Sequence, residues 1–443
     1  MSSDSFDDLQ TNNIFLVPHV VGRSKCIAKI AFSAGSTILS NSSFADVLLP
    51  SEKSHRCDYC HHLSGSDSLK RCTGCASFYY CDPTCQSMHW KSGHRKICGL
   101  YNSYTSASSF QALEEHKKMD ALLLSSLIAH ATLLVDANER NSDENTAFLT
   151  FQALLPGPMA ASAPPICPKH SFPAEVIQEL YSRFENNNFS IHSHFKTYAH
   201  GIFPIASRLF NHSCMPNAAV KFILRVHKPV KLEVVALRAI SKGDEICIPY
   251  IDPALLQTRT TIFDLTYGFT CCCPSCNVVR AIGMIPEPPK GQVEFQAVCK
   301  RLREFVEVMR LSPFSTGDDS LFPRDLACVL HESFISTLSE HFSAASHDGQ
   351  YEVAMESSKS LSAFYQLIYP PNYPQIGLHI LEKAKTCWNH LVRSSTYTMS
   401  IVTELERSLV AAREVFTVIG LEGDPDNGPV AEISILSDAK KSL

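Results

Sequence analysis

The sequence predicts an α+β, multidomain protein, and three observations lead to that prediction. The N-terminal half carries short apolar segments typical of strands, a group of cysteines spaced for metal binding interrupts it, and the C-terminal third has helical periodicity. A chain of 443 residues is too long for one hydrophobic core and indicates two or three domains. The net charge is only −5, which argues against a protein that binds polyanions by bulk charge.

The cysteine content favours metal binding over disulfides. The N-terminus, MSSDSFDDLQ, is acidic and lacks the apolar segment of a secretory signal, and no apolar run is expected to cross a bilayer. The 18 cysteines of a chain that stays inside the cell are therefore expected to be metal ligands more often than disulfide partners.

Strand-like segments open the chain and helical ones follow. Residues 14–21, 26–30 and 37–39 are apolar and are separated by short polar or glycine-containing stretches, which predicts three strands. From residue 109 onward apolar residues recur every three or four positions, and this spacing predicts a helix with a buried face. A short amphipathic helix is predicted at 173–186.

Eight residues of the kind that bind metals lie between residues 57 and 98. They form four close pairs: Cys57/Cys60, Cys72/Cys75, Cys81/Cys85 and His94/Cys98. Eight nitrogen and sulfur ligands make two tetrahedral zinc sites, and residues four apart share one face of a helix. His89 is a rival for His94, which is preferred because Cys98 would otherwise lack a near partner. His55, His61 and His62 are expected to be solvated loop residues.

A second group of polar residues surrounds the string Asn211-His212-Ser213-Cys214. A strand-like segment at 245–249 follows it and ends at Tyr250. The later pattern Cys271-x-Cys273-x2-Cys276 supplies three thiolates, one short of a closed zinc site. Cys272 in place of Cys271 is an alternative, although two adjacent residues bind one ion only with strain.

These motifs, in this order, resemble the SET-and-MYND (SMYD) family of protein-lysine methyltransferases. The resemblance implies a mainly-β SET fold split by a MYND zinc finger, a cysteine-rich post-SET segment and a C-terminal TPR-like α-helical domain. The implied boundaries are 14–250 for the SET domain, 57–98 for the finger, 251–280 for the post-SET segment and 292–443 for the helical domain. Helical periodicity recurs in that last domain at 293–311, 324–342, 351–368, 375–393 and 400–419, and 421–436 is expected to be a loop and a short turn.

The resemblance also assigns roles to single residues. Tyr250 is expected to be the catalytic tyrosine, and Tyr267 is expected to form a wall of the lysine channel. Contacts to S-adenosyl-L-methionine are expected from Gly22, Arg23, Ser24, Arg208, Asn211, His212, Tyr250 and Phe269. Three zinc ions are expected, held by Cys57, Cys60, Cys81 and Cys85, by Cys72, Cys75, His94 and Cys98, and by Cys214, Cys271, Cys273 and Cys276.

The implied activity is S-adenosyl-L-methionine-dependent protein-lysine N-methyltransfer, of class EC 2.1.1, on histone or non-histone proteins. Such methyl transfer needs a neutral amine at the end of a narrow, tyrosine-lined channel, so positioning and desolvation supply most of the catalysis. The expected partners are a protein with a target lysine and proline-containing peptides bound by the finger. The chain is expected to be a monomer of the nucleus, chromatin and cytoplasm that binds neither membranes nor DNA directly. The alternative is an interaction scaffold or transcriptional regulator with a degenerate SET domain.

Overall fold

The computed structural model describes most of the chain. The described residues are 13–18, 23–65, 68–137, 142–158, 161–167, 170, 172–311, 322–393 and 398–441. Gly22, predicted to contact the cofactor, lies outside them.

The first half of the chain forms small antiparallel sheets that share one core. One three-stranded sheet has the order Ala218–Ile223, Lys231–Ala236, Thr37–Ser42, and the other has the order Ala45–Leu48, Lys196–Ile202, Asn188–Ser193. The strands Ile14–Val17 and Lys25–Ala28 pair with each other, and Asn211–His212 pairs in parallel with Cys247–Ile248. Their buried side chains include β-branched and aromatic residues such as Ile38, Tyr198 and Val234, which suit pleated surfaces covered on one face.

The helices outside the C-terminal part are mostly short. They are Pro83–His89, Arg95–Ile97, Tyr101–Ser106, Ser108–Gln111, Glu115–Ala137, Asp143–Gln152, Ala174–Tyr181, Pro204–Leu209, Arg259–Ile262 and Pro274–Ile282. Wider helical turns continue two of them at Trp90–His94 and Phe263–Tyr267, and a 3-10 turn spans Pro50–Glu52. The mixture of strands and helices confirms the predicted fold class.

The helix Glu115–Ala137 is long and apolar enough to cross a membrane by length and composition, contrary to the expectation that no apolar run would be. It is instead a core helix, since 72% of its most apolar window is buried. Its His130 stacks on Phe44 with ring centroids 4.6 Å apart, and its Nδ1 lies 2.7 Å from the carbonyl oxygen of Phe44. The helix is therefore fixed to the edge of the second sheet.

The finger is a compact insertion with one small hairpin, Lys70–Arg71 with Tyr79–Tyr80. The expectation that His61 is solvated is wrong: its side chain is fully buried, and its Nε2 lies 2.8 Å from Asp46 Oδ1. This contact joins the finger to the second sheet. His55 is exposed and His62 is half-buried.

The C-terminal part is helical, as predicted. Its helices are Gln292–Leu311, Glu332–His347, Tyr351–Ile368, Pro374–Arg393, Met399–Ile419 and Pro429–Lys440, with 3-10 turns at Arg324–Leu330 and Pro425–Asn427. Two predictions need correction. The helix predicted at 324–342 is divided at His331, whose extended backbone ends the 3-10 turn and begins the next helix. The short turn predicted within 421–436 is the start of a regular helix, Pro429–Lys440, because Pro429 and an apolar face that reaches the buried Ile433 favour one.

The segment between the last two long helices forms a clasp, residues 421–428. Its Asp424 receives two hydrogen bonds from the buried guanidinium of Arg56, at 3.1 and 2.7 Å, and that guanidinium also stacks 4.1 Å above the ring of Tyr198. Gly423 has φ of 53°, and a Cβ there would lie 2.2 Å from Ser193 Oγ, so glycine is required. The clasp ties the C-terminal part to both the finger and the second sheet.

Candidate active site and metal centres

The short parallel pair Asn211–His212 and Cys247–Ile248 brings the two distant motifs of the sequence side by side. The backbone N–H of Tyr250 donates to His212 Nδ1 at 2.9 Å. Burial lowers the pKa of His212, so the ring is neutral and its proton is on Nε2, which lies 3.2 Å from Cys214 Sγ. One imidazole therefore joins a predicted metal ligand to the strand end that carries Tyr250. Sequence reasoning missed this role, because it treated His212 only as a cofactor contact.

Tyr250 is held at its hydroxyl by two groups. The hydroxyl donates to the carbonyl oxygen of Phe210 at 2.6 Å and accepts from Arg23 Nη1 at 2.9 Å, and Arg23 Nη2 also donates to the carbonyl oxygen of Ser207. Burial raises the pKa of Tyr250, and the nearby charge of Arg23 opposes the rise without cancelling it. The hydroxyl is therefore protonated at neutral pH.

Tyr267 lies beside Tyr250, as expected of two walls of one channel. Their ring centroids are 5.0 Å apart, and burial raises the pKa of Tyr267 to about 12. Phe269 meets Tyr250 edge-on at 6.3 Å, and Phe263 packs against His212 at 4.4 Å. Tyr250 therefore lies among aromatic rings, and both tyrosine hydroxyls are neutral at pH 7.

The remaining residues predicted to contact the cofactor surround Ser24. Asn211 Nδ2 donates to the carbonyl oxygen of Ser24 at 3.1 Å and to Glu245 Oε1 at 2.9 Å, while Arg208 Nη2 lies 3.4 Å from Ser24 Oγ. Burial, and then the charge of Arg23, lowers the pKa of Arg208. Across the described ranges of the chain, neither guanidinium forms an ion pair with a carboxylate.

A cavity of about 520 Å³ opens from Tyr250. Tyr250 and Tyr267 line one side of it, the strand Asn188–Ser193 lines another, and Tyr373 and Gln375 of the helical part close it. Of the residues predicted for the site, Arg23, Tyr250 and Tyr267 line this cleft between the sheets and the C-terminal helices, whereas Asn211, His212 and Phe269 lie outside its lining.

The cysteines and the histidine of the finger form two clusters. Cys57, Cys60, Cys81 and Cys85 come together in one, and Cys72, Cys75, His94 and Cys98 in the other. This is the interleaved pairing that the resemblance implies. The second cluster contains His94 and not its rival His89. Gly93, with φ of 157°, breaks the helix just before His94, and the Nδ1 of His89 lies 3.1 Å from the hydroxyl of Tyr80.

The spacing of these groups fits zinc. A tetrahedral zinc ion with Zn–S bonds of about 2.3 Å separates two sulfur ligands by about 3.8 Å. The Sγ atoms of Cys60 and Cys85 are 3.8 Å apart, those of Cys72 and Cys98 are 3.7 Å apart, and Cys72 Sγ lies 3.4 Å from His94 Nε2. Both clusters are thus shaped for a four-coordinate ion.

A third cluster joins Cys214 to the cysteines of the post-SET segment. It contains Cys214, Cys271, Cys273 and Cys276. The Sγ atoms of Cys214 and Cys276 are 3.5 Å apart, again a distance suited to zinc. Cys272, the alternative ligand, is exposed and points away from the cluster. The cluster packs against Phe263, Tyr267 and Phe269, the aromatic residues near Tyr250.

Comparison with known proteins agrees with this architecture. A SET domain family model matches residues 25–251, more than half of the chain. Among similar proteins, histone-lysine N-methyltransferase ASHR1 of Arabidopsis thaliana is 29% identical over 83% of this chain and 85% of its own length. N-lysine methyltransferase SMYD2 of Homo sapiens is 24% identical over 70% of this chain and 71% of its own length.

The chain belongs to the SET domain family. The match and the relatives named SMYD2 confirm the predicted SET-and-MYND relationship, and the relatives' names agree with the predicted enzyme class. The roles given to single residues, and the boundaries 14–250, 57–98, 251–280 and 292–443, stay predictions.

Proposed function

We propose that this chain is an S-adenosyl-L-methionine-dependent protein-lysine N-methyltransferase that acts on histone or non-histone proteins. The observation that carries the proposal is the arrangement at Tyr250. Its hydroxyl donates to the carbonyl oxygen of Phe210, and Arg23 links the hydroxyl to the carbonyl oxygen of Ser207. Its ring packs beside that of Tyr267, and both tyrosines line the cleft. A lysine side chain is a long apolar stem with an amine at its tip, and an aromatic channel that ends in oxygen atoms fits both parts.

The residues around Ser24 suit the cofactor. Arg23 and Arg208 are two neighbouring cations with no carboxylate partner in the described part of the chain, so they favour a bound carboxylate such as that of a methionine moiety. Asn211 fixes the backbone of Ser24 beside them. Phe269 offers a half-buried ring for an adenine base.

When bound, S-adenosyl-L-methionine supplies an electrophilic methyl group on a sulfonium. The protein's part is to place the target amine and to keep water out. The Tyr250 hydroxyl accepts or donates one hydrogen bond at the amine, and the carbonyl oxygens of Ser207 and Phe210 favour partial positive charge at the same place. Tyr267 narrows the channel so that the amine approaches along one line and arrives without its hydration shell.

The cleft proposed for the substrate lies between two units of the fold. Its sheet side carries Asn188, Phe189 and His192, and its helical side carries Tyr373 and Gln375. An extended peptide in this cleft would meet polar side chains suited to its backbone groups, with the target lysine directed toward Tyr250. The helical part thus acts as one wall of the proposed substrate site.

Three zinc ions belong to the proposal. The two finger ions would stabilise a segment with few large apolar residues of its own, and the third would hold Tyr267 and Phe269 over the channel. The finger has a second proposed function, the binding of proline-containing peptides. Its exposed Met88 and Trp90 support that function, because an exposed indole ring is a suitable surface for proline. The proposed location is the nucleus and the cytoplasm, and the proposed state is a monomer.

Calorimetric titration with S-adenosyl-L-methionine tests the cofactor site without knowledge of the substrate. We expect saturable one-to-one binding by the zinc-loaded protein, weakened at least tenfold by Asn211→Ala because Ser24 loses its support. Asn389→Ala, a change at an exposed position of the helical part, is the matched control and should bind as the natural protein does. Absence of binding at millimolar cofactor would remove the enzyme proposal and leave the scaffold.

Activity is tested separately on histones and on a lysine-rich peptide library with a radiolabelled methyl donor. We expect label on lysine only, and roughly 10- to 100-fold slower labelling with Tyr250→Phe. Cofactor binding without transfer to any protein would overturn the substrate class but not the cofactor site.

A further inference from the structure

Arg259 is a fully buried cation without a carboxylate partner among the described residues. It begins the short helix Arg259–Ile262 and is 0% exposed. Its Nη1 donates to the carbonyl oxygen of Pro253 at 2.9 Å and its Nη2 donates to Ser275 Oγ at 2.8 Å, both neutral groups. Its Nε is buried with no hydrogen-bond partner, and over the described ranges no acid forms an ion pair with it.

Such a group requires a compensating negative charge. A guanidinium stays protonated in proteins, and the burial of a lone charge is strongly unfavourable unless an opposite charge lies near it. Two neutral hydrogen bonds do not replace that charge. The compensating charge must therefore come from something other than a side-chain carboxylate.

The nearest candidate is the third cysteine cluster. Ser275, which accepts the hydrogen bond from Arg259, lies between Cys273 and Cys276 in the sequence. All three residues belong to the first turn of the helix Pro274–Ile282, with Cys273 as its N-cap. Phe263, one turn after Arg259, is buried in one cluster with Cys214, Cys271 and Cys276, so the segment that carries Arg259 packs against these thiols. Four thiolates around one Zn²⁺ carry a net charge of −2, because each ligand contributes −1 and the ion +2.

We propose that Arg259 is the counter-cation of the zinc centre formed by Cys214, Cys271, Cys273 and Cys276, and that its charge holds the ion there. The inference rests on the zinc ion of the proposed function, but not on methyl transfer. Arg259 is a positioning residue: it touches neither substrate nor cofactor, and it acts through the thiolates.

The helix that carries Arg259 also reaches the active site. Phe263, one turn after Arg259, packs on the ring of His212, which contacts both Cys214 and the backbone of Tyr250. Loss of zinc from this centre would therefore change the position of His212 and of the strand end that carries Tyr250.

The test measures zinc release from the full-length, zinc-loaded protein into a coloured chelator. Three ions should leave, and the phase that is missing from Cys214→Ala identifies the third centre. In Arg259→Met that phase should be at least tenfold faster, while the two finger phases keep their rates. Arg259→Lys keeps the charge and loses the forked geometry, so its rate should stay within about threefold of the natural protein. Ser275→Ala removes a hydrogen bond without removing charge and serves as the control.

Three results would overturn the proposal: an unchanged third phase in Arg259→Met, an equal acceleration of all three phases, or an acceleration in Arg259→Lys as large as in Arg259→Met. The first would show that the charge is not needed, the second that the change loosens the whole fold, and the third that hydrogen bonds matter instead of charge. Arg259→Lys decides the matter even if Arg259→Met does not fold. Because the readout is zinc, a failure of methyl transfer would leave it unaffected.

Discussion

The guanidinium of Arg23 lies at the hydroxyl of Tyr250, with a hydrogen bond of 2.9 Å. It also donates to the carbonyl oxygen of Ser207, so one cation contacts two of the oxygen atoms that the proposed reaction offers to a lysine amine. Binding of a carboxylate near Arg208 would draw Arg23 toward it and release those oxygens for the substrate. Cofactor binding and access for the substrate lysine would then be linked through one side chain.

Tyr250→Phe should reduce methyl transfer without altering cofactor affinity. The change removes one hydrogen bond at the amine, which gains positive charge in the transition state. A hydrogen bond to a charged group is worth about 1.5–3 kcal/mol, so we expect a loss of roughly 10- to 100-fold in kcat. Single-turnover transfer and cofactor titration are measured on the same preparation. Tyr181→Phe, which removes a buried hydroxyl far from the cleft, is the matched control. Unchanged turnover in Tyr250→Phe would exclude the residue from its proposed role.

The rate of methyl transfer should rise as the pH increases from 7 to 9. Ionisation of the Tyr250 and Tyr267 hydroxyls should not reduce the rate below pH 10. Burial raises the pKa of both Tyr250 and Tyr267, the latter to about 12, so neither hydroxyl ionises in that range. The target amine, with an ordinary pKa of about 10.4, must lose its proton, and its neutral fraction grows about tenfold per pH unit.

The measurement is a pH profile of kcat/KM with circular dichroism recorded at each pH. A decline in rate between pH 8 and 9.5 with an intact spectrum would mean that one of these hydroxyls ionises early. That result would contradict the burial of the channel.

The purified protein should contain about three zinc ions per chain, as the three four-residue clusters require. Cys214→Ala should contain about two, and its third centre should lose affinity, since the remaining three thiolates leave one position open. Metal content is measured by atomic emission after dialysis. Cys272→Ala is the control because that thiol is exposed and outside the cluster, and it should keep all three ions. Equal metal content in both variants would exclude Cys214 as a ligand.

Asp424→Ala should destabilise the protein strongly. It leaves the buried guanidinium of Arg56 without its main counter-charge, which typically costs about 3–5 kcal/mol in the free energy of unfolding. Denaturant unfolding of both proteins measures this difference in the free energy of unfolding. The control is Asp438→Ala, whose carboxylate forms an exposed pair with Lys441, so this change should leave the free energy of unfolding nearly unaltered. Similar costs for the two changes would mean that the clasp contributes little to stability.

The sequence was sufficient to group the possible metal ligands and to anticipate strands followed by helices along the chain, because residue identity and spacing are local. Cys57 and Cys81 are far apart in the chain, yet close pairs at fixed spacing already limit how they combine, and the structure brings them together. The five long helices of the C-terminal part were predictable for a similar reason, since each has one apolar face.

Contacts between distant segments could not be predicted in this way. Nothing near His61 in the sequence indicates that Asp46 will cover it, and nothing near Arg56 indicates Asp424. The role of His212 was missed because it depends on two hydrogen bonds made only after the strands pair. The helix Pro429–Lys440 was missed because the polar segment before it resembles a chain end.

The clasp also constrains how the protein can be made. Arg56 leaves the ribosome early, whereas Asp424 follows 368 residues later. Until then its guanidinium keeps the ion pair with Glu52 but lacks the two hydrogen bonds to Asp424, so the N-terminal half is incompletely stabilised while translation continues. A premature stop codon before residue 424 would therefore destabilise the N-terminal half of the protein as well as remove the C-terminal segment.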